Sequence, residues 1–261
     1  MTVIVSTSFD GTSGDPWPSP WTSSLAKNVS GGAVDLQANR GRMRGHDGSY
    51  SVARSIATGT SGTDVRWTGT VRFESSAESY AFLWARSSGT WSTTDASNQW
   101  VQTTGYTVAF FPAGTSGRIL IRKSVGGVEV PPSSGVAESP FTFAAGTDYR
   151  FKVELEGTAI RARIWLASDS EPATWAVTAT DADYASGAVA ASFVTGPTGV
   201  GREVRWDDFL ATSLADSEAS EWTGWIETVT DPPPGGSVRL ARSGSAWVAT
   251  DRLVRRGGSW A

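Results

Sequence analysis

Hydrolysis of a glycosidic bond needs two carboxyl groups, about 5–5.5 Å apart for a retaining enzyme or about 6.5–9.5 Å for an inverting one, with one of them protonated. The sequence offers two candidate pairs. Glu74 and Glu78 flank Ser75, Ser76 and Ala77, and Asp207 is followed directly by Asp208. Neighbours on a strand point to opposite faces, so Asp207 and Asp208 are expected to diverge. The one histidine, His46, lies in Arg40-Gly41-Arg42-Met43-Arg44-Gly45-His46-Asp47-Gly48, whose glycines signal an irregular, exposed segment. A base beside Asp47 also needs a positioned nucleophile, and no motif supplies one. Arg40, Arg42 and Arg44 read as a solvated face, with contact to an anionic glycan or a partner as the alternative. One histidine and no cysteine exclude multi-histidine zinc or iron sites, thiolate metal sites, disulfides and thiol nucleophiles.

Tryptophan is unusually frequent, at 13 against 10 Phe and 5 Tyr. An indole face stacks on sugar C–H groups when polar side chains nearby take the hydroxyls. Trp91 and Trp100 bracket a polar stretch that contains Asp95, Asn98 and Gln99, and these five residues form the candidate glycan site. Trp67, Trp84 and Trp206 fall in strand patterns and read as core. A second constellation lies near the C-terminus. Arg239, Arg242 and Trp247 recur thirteen positions later as Arg252, Arg255 and Trp260, with Arg256 beside them. Arg and Trp are enriched at interface hot spots, so these seven residues are read as a docking segment. The alternatives are a β-arm packed on the segment before it and, more weakly, phosphate contact. Nucleic acid is disfavoured because the whole chain carries a net charge of -4.

Short strands must position these residues. With 29 Gly, 12 Pro and only 18% charged residues, the chain is too turn-rich and charge-poor for a helical bundle. Period-2 alternation is clearest from Tyr149 to Glu156 and resumes from Ile160 to Leu166, with Gly157-Thr158 as a two-residue turn. That register pairs Leu155 with Ile160, Val153 with Ala162 and Phe151 with Ile164. On the other face it sets Glu154 against Arg161 and Arg150 against Trp165, where a cation–π contact is possible. Similar runs cover Val65 to Phe73, Tyr80 to Trp84, Tyr106 to Phe111, Arg118 to Arg122, Ala188 to Val194 and Val204 to Leu210. Strands at this spacing, with no amphipathic helix longer than two turns, predict an all-β fold: an antiparallel two-sheet jelly-roll sandwich. From Ala215 to Gly236 the chain holds five acids, no basic residue and a closing Pro-Pro-Pro-Gly-Gly, which is linker chemistry. The expected organisation is a sandwich over 1–214, a linker over 215–236 and a basic, β-rich tail over 237–261. No stretch approaches the roughly 18 apolar residues that span a membrane, and the N-terminus lacks the pattern of a secretory signal.

Several elements resemble the concanavalin A-like, laminin G-like jelly rolls of phages that infect actinobacteria. They are Ser8-Phe9-Asp10-Gly11 with Trp17 and Trp21, the Tyr149 to Trp165 hairpin, Glu171 to Trp175, Asp181, and Arg205-Trp206-Asp207-Asp208-Phe209. The terminal Arg255 to Ala261 resembles the end of many minor tail proteins from the same phages. The resemblance implies a non-enzymatic virion component, a minor tail protein whose lectin-like body binds host-surface glycans and whose tail docks to other virion proteins. It would be made in the host cytoplasm without a signal peptide. A capsid decoration protein and a carbohydrate-active hydrolase of the same fold are the alternatives. Glucanases of the family carry Glu-x-Asp-x-x-Glu on one strand, and that pattern is absent here. In related jelly rolls a calcium ion ties the first strand to the last, which would bring Asp10 together with Asp207 or Asp208. A second copy of the chain remains open as a partner, although no heptad supplies a trimerisation element.

Overall fold

The computed structural model describes residues 2–27, 30–45, 51–75, 78–93, 99–112, 117–196 and 202–214, with Val136 as backbone only. It also describes the backbone of 237–243, 246–253, 255–256 and 259–260. His46, Asp95, Asn98 and the 215–236 segment lie outside the described residues, so the expectations placed on them stay there.

The strands in chain order are β1 (Val3–Thr7), β2 (Trp21–Ala26), β3 (Ala33–Leu36), β4 (Gly41–Arg44), β5 (Ser51–Ala57), β6 (Val65–Phe73), β7 (Ser79–Ser87), β8 (Thr104–Phe111) and β9 (Arg118–Val125). They continue as β10 (Val128–Val130), β11 (Ser134–Val136), β12 (Glu138–Pro140), β13 (Asp148–Glu156), β14 (Ala159–Leu166), β15 (Val177–Thr180), β16 (Ala188–Thr195) and β17 (Glu203–Ser213). No helix occurs among the described residues. One sheet runs β11-β15-β14-β13-β6-β17-β4-β3, with β1 also paired to β17. The other runs β10-β9-β8-β7-β16-β5-β2, with β12 also paired to β9. All the pairings are antiparallel, so the body is the two-sheet jelly roll that the alternation predicts.

Alternation decides which side chains fill the space between the sheets. Trp67, Phe73, Phe151, Leu155, Ile164 and Trp206 from the first sheet are buried with Leu83, Tyr106, Phe110, Ile121 and Phe193 from the second. Each such large apolar side chain contributes roughly 1.5–3 kcal/mol by leaving water. The β13–β14 hairpin has the predicted register, with Leu155 opposite Ile160, Phe151 opposite Ile164 and Glu154 opposite Arg161. Gly157 takes φ +54° at the first turn position, where a glycine suits the type II′ geometry that matches strand twist. The cation–π pairing is elsewhere than expected. Arg150 and Trp165 are cross-strand partners, yet the arginines of this hairpin set over an indole are Arg161 and Arg163, 5.1 and 4.2 Å from the Trp175 ring.

The alternation in β17 changes phase at a bulge between Asp207 and Leu210. Val204 and Trp206 are buried before it, Phe209 and Ala211 after it. Without the extra residue, Asp208 would point into the core and Phe209 into water. Asp208 takes φ +51°, a left-handed conformation that aspartate tolerates better than most residues. The expectation that Asp207 and Asp208 point to opposite faces is therefore corrected, because the bulge leaves both outside the core.

The chain divides into two compact units, Thr2–Leu214 and Ala215–Ala261. In the second, β18 (Ser237–Ser243) pairs with β19 (Ala246–Leu253), and β20 (Arg255–Arg256) with β21 (Ser259–Trp260).

Candidate functional site

The strand β7 is apolar on both faces. Ala81, Leu83 and Ala85 point to the core, which leaves Tyr80, Phe82 and Trp84 on the outer face of the second sheet. An outer face of that composition needs a cover, and the β7–β8 connection supplies it. Trp100 stacks on Phe82 with ring centroids 4.1 Å apart and planes 29° apart. The Trp84 indole N–H donates to Ser192 Oγ at 3.1 Å, and that hydroxyl donates to the Trp100 carbonyl at 3.0 Å. Backbone bonds from Ser92 N–H to Val101 O and from Thr103 N–H to Thr90 O, both 2.8 Å, close the connection on itself.

Arg54 ties the candidate residues together. Its Nε donates to Ser24 Oγ at 2.9 Å, one terminal nitrogen donates to the Gln99 carbonyl at 2.6 Å, and its guanidinium lies 5.4 Å from the Trp91 ring centre. Burial lowers the Arg54 pKa, but a guanidinium stays charged in proteins. The structure thus brings Trp91, Gln99 and Trp100 onto one face. It adds two aromatics, Tyr80 and Phe111, and two arginines, Arg54 and Arg118, that the candidate site read from the sequence did not include. Tyr80 and Phe111 have centroids 4.8 Å apart, Phe82 and Phe111 5.8 Å, and Arg118 lies 5.2 Å from the Phe111 ring. Tyr80, Trp91, Trp100 and Phe111 are each only partly buried, so this band offers ring surface between Arg54 at one end and Arg118 at the other.

A carboxyl sits at the edge of the same face. Glu129 pairs with Ser124, and burial, only partly offset by Arg122, pushes its pKa up to about 7. Its Oε1 is buried without a hydrogen-bond partner. The next acid along that edge is Glu138, opposite Leu120 and bound to Arg118 at 3.5 Å and Arg122 at 3.3 Å. Ser124 and Leu120 are four positions apart on β9, or about 13 Å at the rise of a strand, which exceeds either hydrolase separation.

The other candidate carboxylates are in ion pairs. Glu74 binds Arg72 at 2.9 Å and Arg205 at 3.2 Å, and Glu78 binds Arg202 at 2.9 Å. Arg40 and Arg42 do not form a solvated face either. Arg40 grips Asp148 through two bonds of 2.5 and 3.0 Å, and Arg42 grips Asp35 through two of 2.8 and 2.6 Å.

Burial, Asp208 and Asp10 all raise the Asp207 pKa, so the three candidate calcium ligands are neighbours in charge. The cation they meet is Arg40, 3.9 Å from Asp207, and no group of three or more His, Cys, Asp or Glu among the described residues could hold a metal ion. The calcium expected between the first strand and the last finds no such group of ligands among the described residues. In the tail, backbone register sets Arg242 opposite Trp247 and Arg255 opposite Trp260, the same pairing in both copies of the repeat. Arg239 is opposite Asp251, Arg252 opposite Val238 and Arg256 opposite Ser259.

No family model matches this sequence, and no curated protein does. Solved structures do match its fold. A protein of unknown function with a galectin-like fold from Bacillus subtilis is 11% identical with a TM-score of 0.55, the match covering 82% of this chain and 96% of that one. The VIP36 exoplasmic/lumenal domain in its Ca2+/Man3GlcNAc-bound form is 11% identical with a TM-score of 0.52, over 74% and 84% of the two chains. The Bacillus licheniformis β-glucanase is 10% identical with a TM-score of 0.51, over 82% and 98%. At these identities the likeness is one of fold: the concanavalin A- and galectin-like jelly roll shared by lectins and glucanases.

Proposed function

We propose that the chain is a non-enzymatic carbohydrate-binding protein whose body takes glycan on the outer face of the second sheet. The observation that carries this reading is the band from Tyr80 through Phe111 to Trp100 and Trp91, with partly exposed rings fixed on a sheet and an arginine at either end. Sugar rings stack on such surfaces, and side chains at the margin take the hydroxyls. The fold supports its carbohydrate-binding part, since the VIP36 domain was solved with a mannose-containing glycan and the Bacillus licheniformis protein is a glucanase. A phage virion, as a minor tail protein, is the setting that the resemblance favours, with the Arg/Trp tail docking to another virion protein.

A glycan array tests the reading. Trp91→Ala is expected to keep the melting temperature of the wild type and to lose at least tenfold in array signal. Unchanged binding in Trp91→Ala and in Phe111→Ala would overturn it. Chelator is expected to leave binding unchanged, because Asp207 faces Arg40. A second reading, hydrolysis, is favoured by Glu129, since a carboxyl protonated near neutrality suits a general acid, and by the glucanase among the similar folds. Release of reducing sugar from β-glucan by the wild type, lost in Glu129→Gln, would establish it.

A further inference from the structure

The outer face of the first sheet carries a groove of about 270 Å³. Its floor is built from β6 and β13, where alternation turns Thr68, Thr70 and Arg150 outward, and the Trp165 indole of β14 forms one wall. Asp208 enters from the β17 bulge on the opposite side. The β14–β15 connection forms the remaining wall and is firmly held. Glu171 bonds Lys152 at 2.6 Å and also Arg163, and Arg163 in turn stacks over Trp175 and donates to the Pro172 carbonyl.

The groove's polar groups are free to bind. Neither threonine hydroxyl, nor the Arg150 guanidinium, nor the Asp208 carboxylate has a hydrogen-bond or ion-pair partner among the described residues. A ligand here meets an indole, two hydroxyls, one unpaired cation and one unpaired anion, beside the Lys152–Glu171 ion pair. The two unpaired charges cancel, which disfavours a ligand of strong net charge, and alternating donors and acceptors beside an aromatic wall suit a polyol. The volume lies just below the range of pockets that enclose drug-sized ligands, which fits one or two sugar rings. Asp208 also holds a left-handed φ of +51°, and backbone strain of this kind concentrates where a side chain is positioned for use.

From this geometry we infer a second saccharide site, for the neutral end of a glycan, on the sheet opposite the aromatic band. The body would then bind sugar on both outer faces. The test is isothermal titration of the full chain with laminaritriose, cellotriose, chitotriose and trigalacturonate. Three proteins are compared: the wild type, a Trp91→Ala/Phe111→Ala variant, and that variant with Thr70→Val and Asp208→Gly added. Asp208→Gly relieves the left-handed strain and Thr70→Val keeps its volume, so the groove variant is expected to fold. If Asp208→Gly does not, Thr70→Val alone serves. At least one neutral trisaccharide is expected to bind the Trp91/Phe111 variant and to lose at least tenfold in affinity when the groove changes are added. Loss of all binding in the Trp91/Phe111 variant would overturn the second site and leave the first standing. Full binding in that variant, abolished by the groove changes, supports the second site and overturns the first. Binding of trigalacturonate alone would overturn the neutral class.

Discussion

Two ionisable groups, Asp181 fully buried and Glu129 partly so, act on stability in opposite directions. Burial alone would raise the Asp181 pKa, but the Lys123 ammonium, the Asp183 N–H, Ser133 and the Tyr106 hydroxyl outweigh it and hold the carboxyl well below the usual carboxylate range. The distances are short: Lys123 Nζ lies 2.7 Å from Asp181 and 2.6 Å from Asp183, and Tyr106 Oη–H donates to Asp181 at 2.7 Å. A depressed carboxylate pKa adds stability above its unfolded value, near 4, and that stability is lost as the pH falls further. Asp181→Asn is therefore expected to destabilise the body by about 3–5 kcal/mol at pH 7, since it leaves a largely buried ammonium short of its main partner. Urea titrations at pH 7 and pH 3 check this, and the gap to wild type should narrow at the lower pH. Glu129 is the reverse case. Its raised pKa, about 7, means that the folded state disfavours its charge, a cost that is absent below about pH 4 and complete above about pH 8. Glu129→Gln is expected to stabilise the body by on the order of 1–3 kcal/mol at pH 8 and to change nothing at pH 4. Lys123 was legible in principle, because it shares the inward phase of Ile119 and Ile121 and so requires a buried acid. Asp181, 58 residues away, carries no local sign of being that acid.

What a sequence reveals about an element depends on whether its two faces differ. The β13–β14 hairpin alternates charged and apolar residues throughout β13 and from Ile160 to Ile164 in β14, and one register satisfies both faces, so its pairing could be read directly. In β17 the same rule fails at Asp207-Asp208, because period 2 cannot anticipate an inserted residue. The warning was there, in an aspartate at the inward phase and a phenylalanine at the outward one. The strand β7 held a stronger signal, being apolar on both faces, which implies that something covers the outer one. The candidate site is that cover together with what it leaves open. Trp91 and Trp100 were recognisable from their polar neighbours, whereas Tyr80 and Phe111 looked like ordinary strand residues until the sheet placed them side by side. The cover has a weak point in Gln102, fully buried with neither amide atom hydrogen-bonded among the described residues. An orphaned buried amide costs about 1–3 kcal/mol, so Gln102→Leu, of similar size and apolar, is expected to stabilise the connection. Hydrogen exchange at residues 99–104 should slow in that variant, and faster exchange would mean that the amide has a partner after all.

For the molecule as a whole, the chain divides at Leu214 into two compact units, and the proposed function assigns recognition to the first and attachment to the second. The body buries its own core between two sheets, and that core cluster runs from Val5 to Ala211, entirely within Thr2–Leu214. A chain ending at Leu214 is therefore expected to melt within about 2 °C of the full-length protein and to bind the same glycans, which calorimetry and the array would measure. The tail's backbone repeats one hairpin pairing, Arg opposite Trp, thirteen residues apart, and a repeated element of Arg and Trp suits docking better than it suits packing a core of its own. Removing Ser237–Ala261 is accordingly expected to leave folding intact and to abolish incorporation into virions, scored by immunoblot of purified particles. A variant that keeps both hairpins but carries Arg242→Ala and Arg255→Ala should lose incorporation to a similar degree, because it removes the same position from each copy. If the truncated chain enters particles as efficiently as the full-length one, attachment belongs to the body, and the repeat has another purpose.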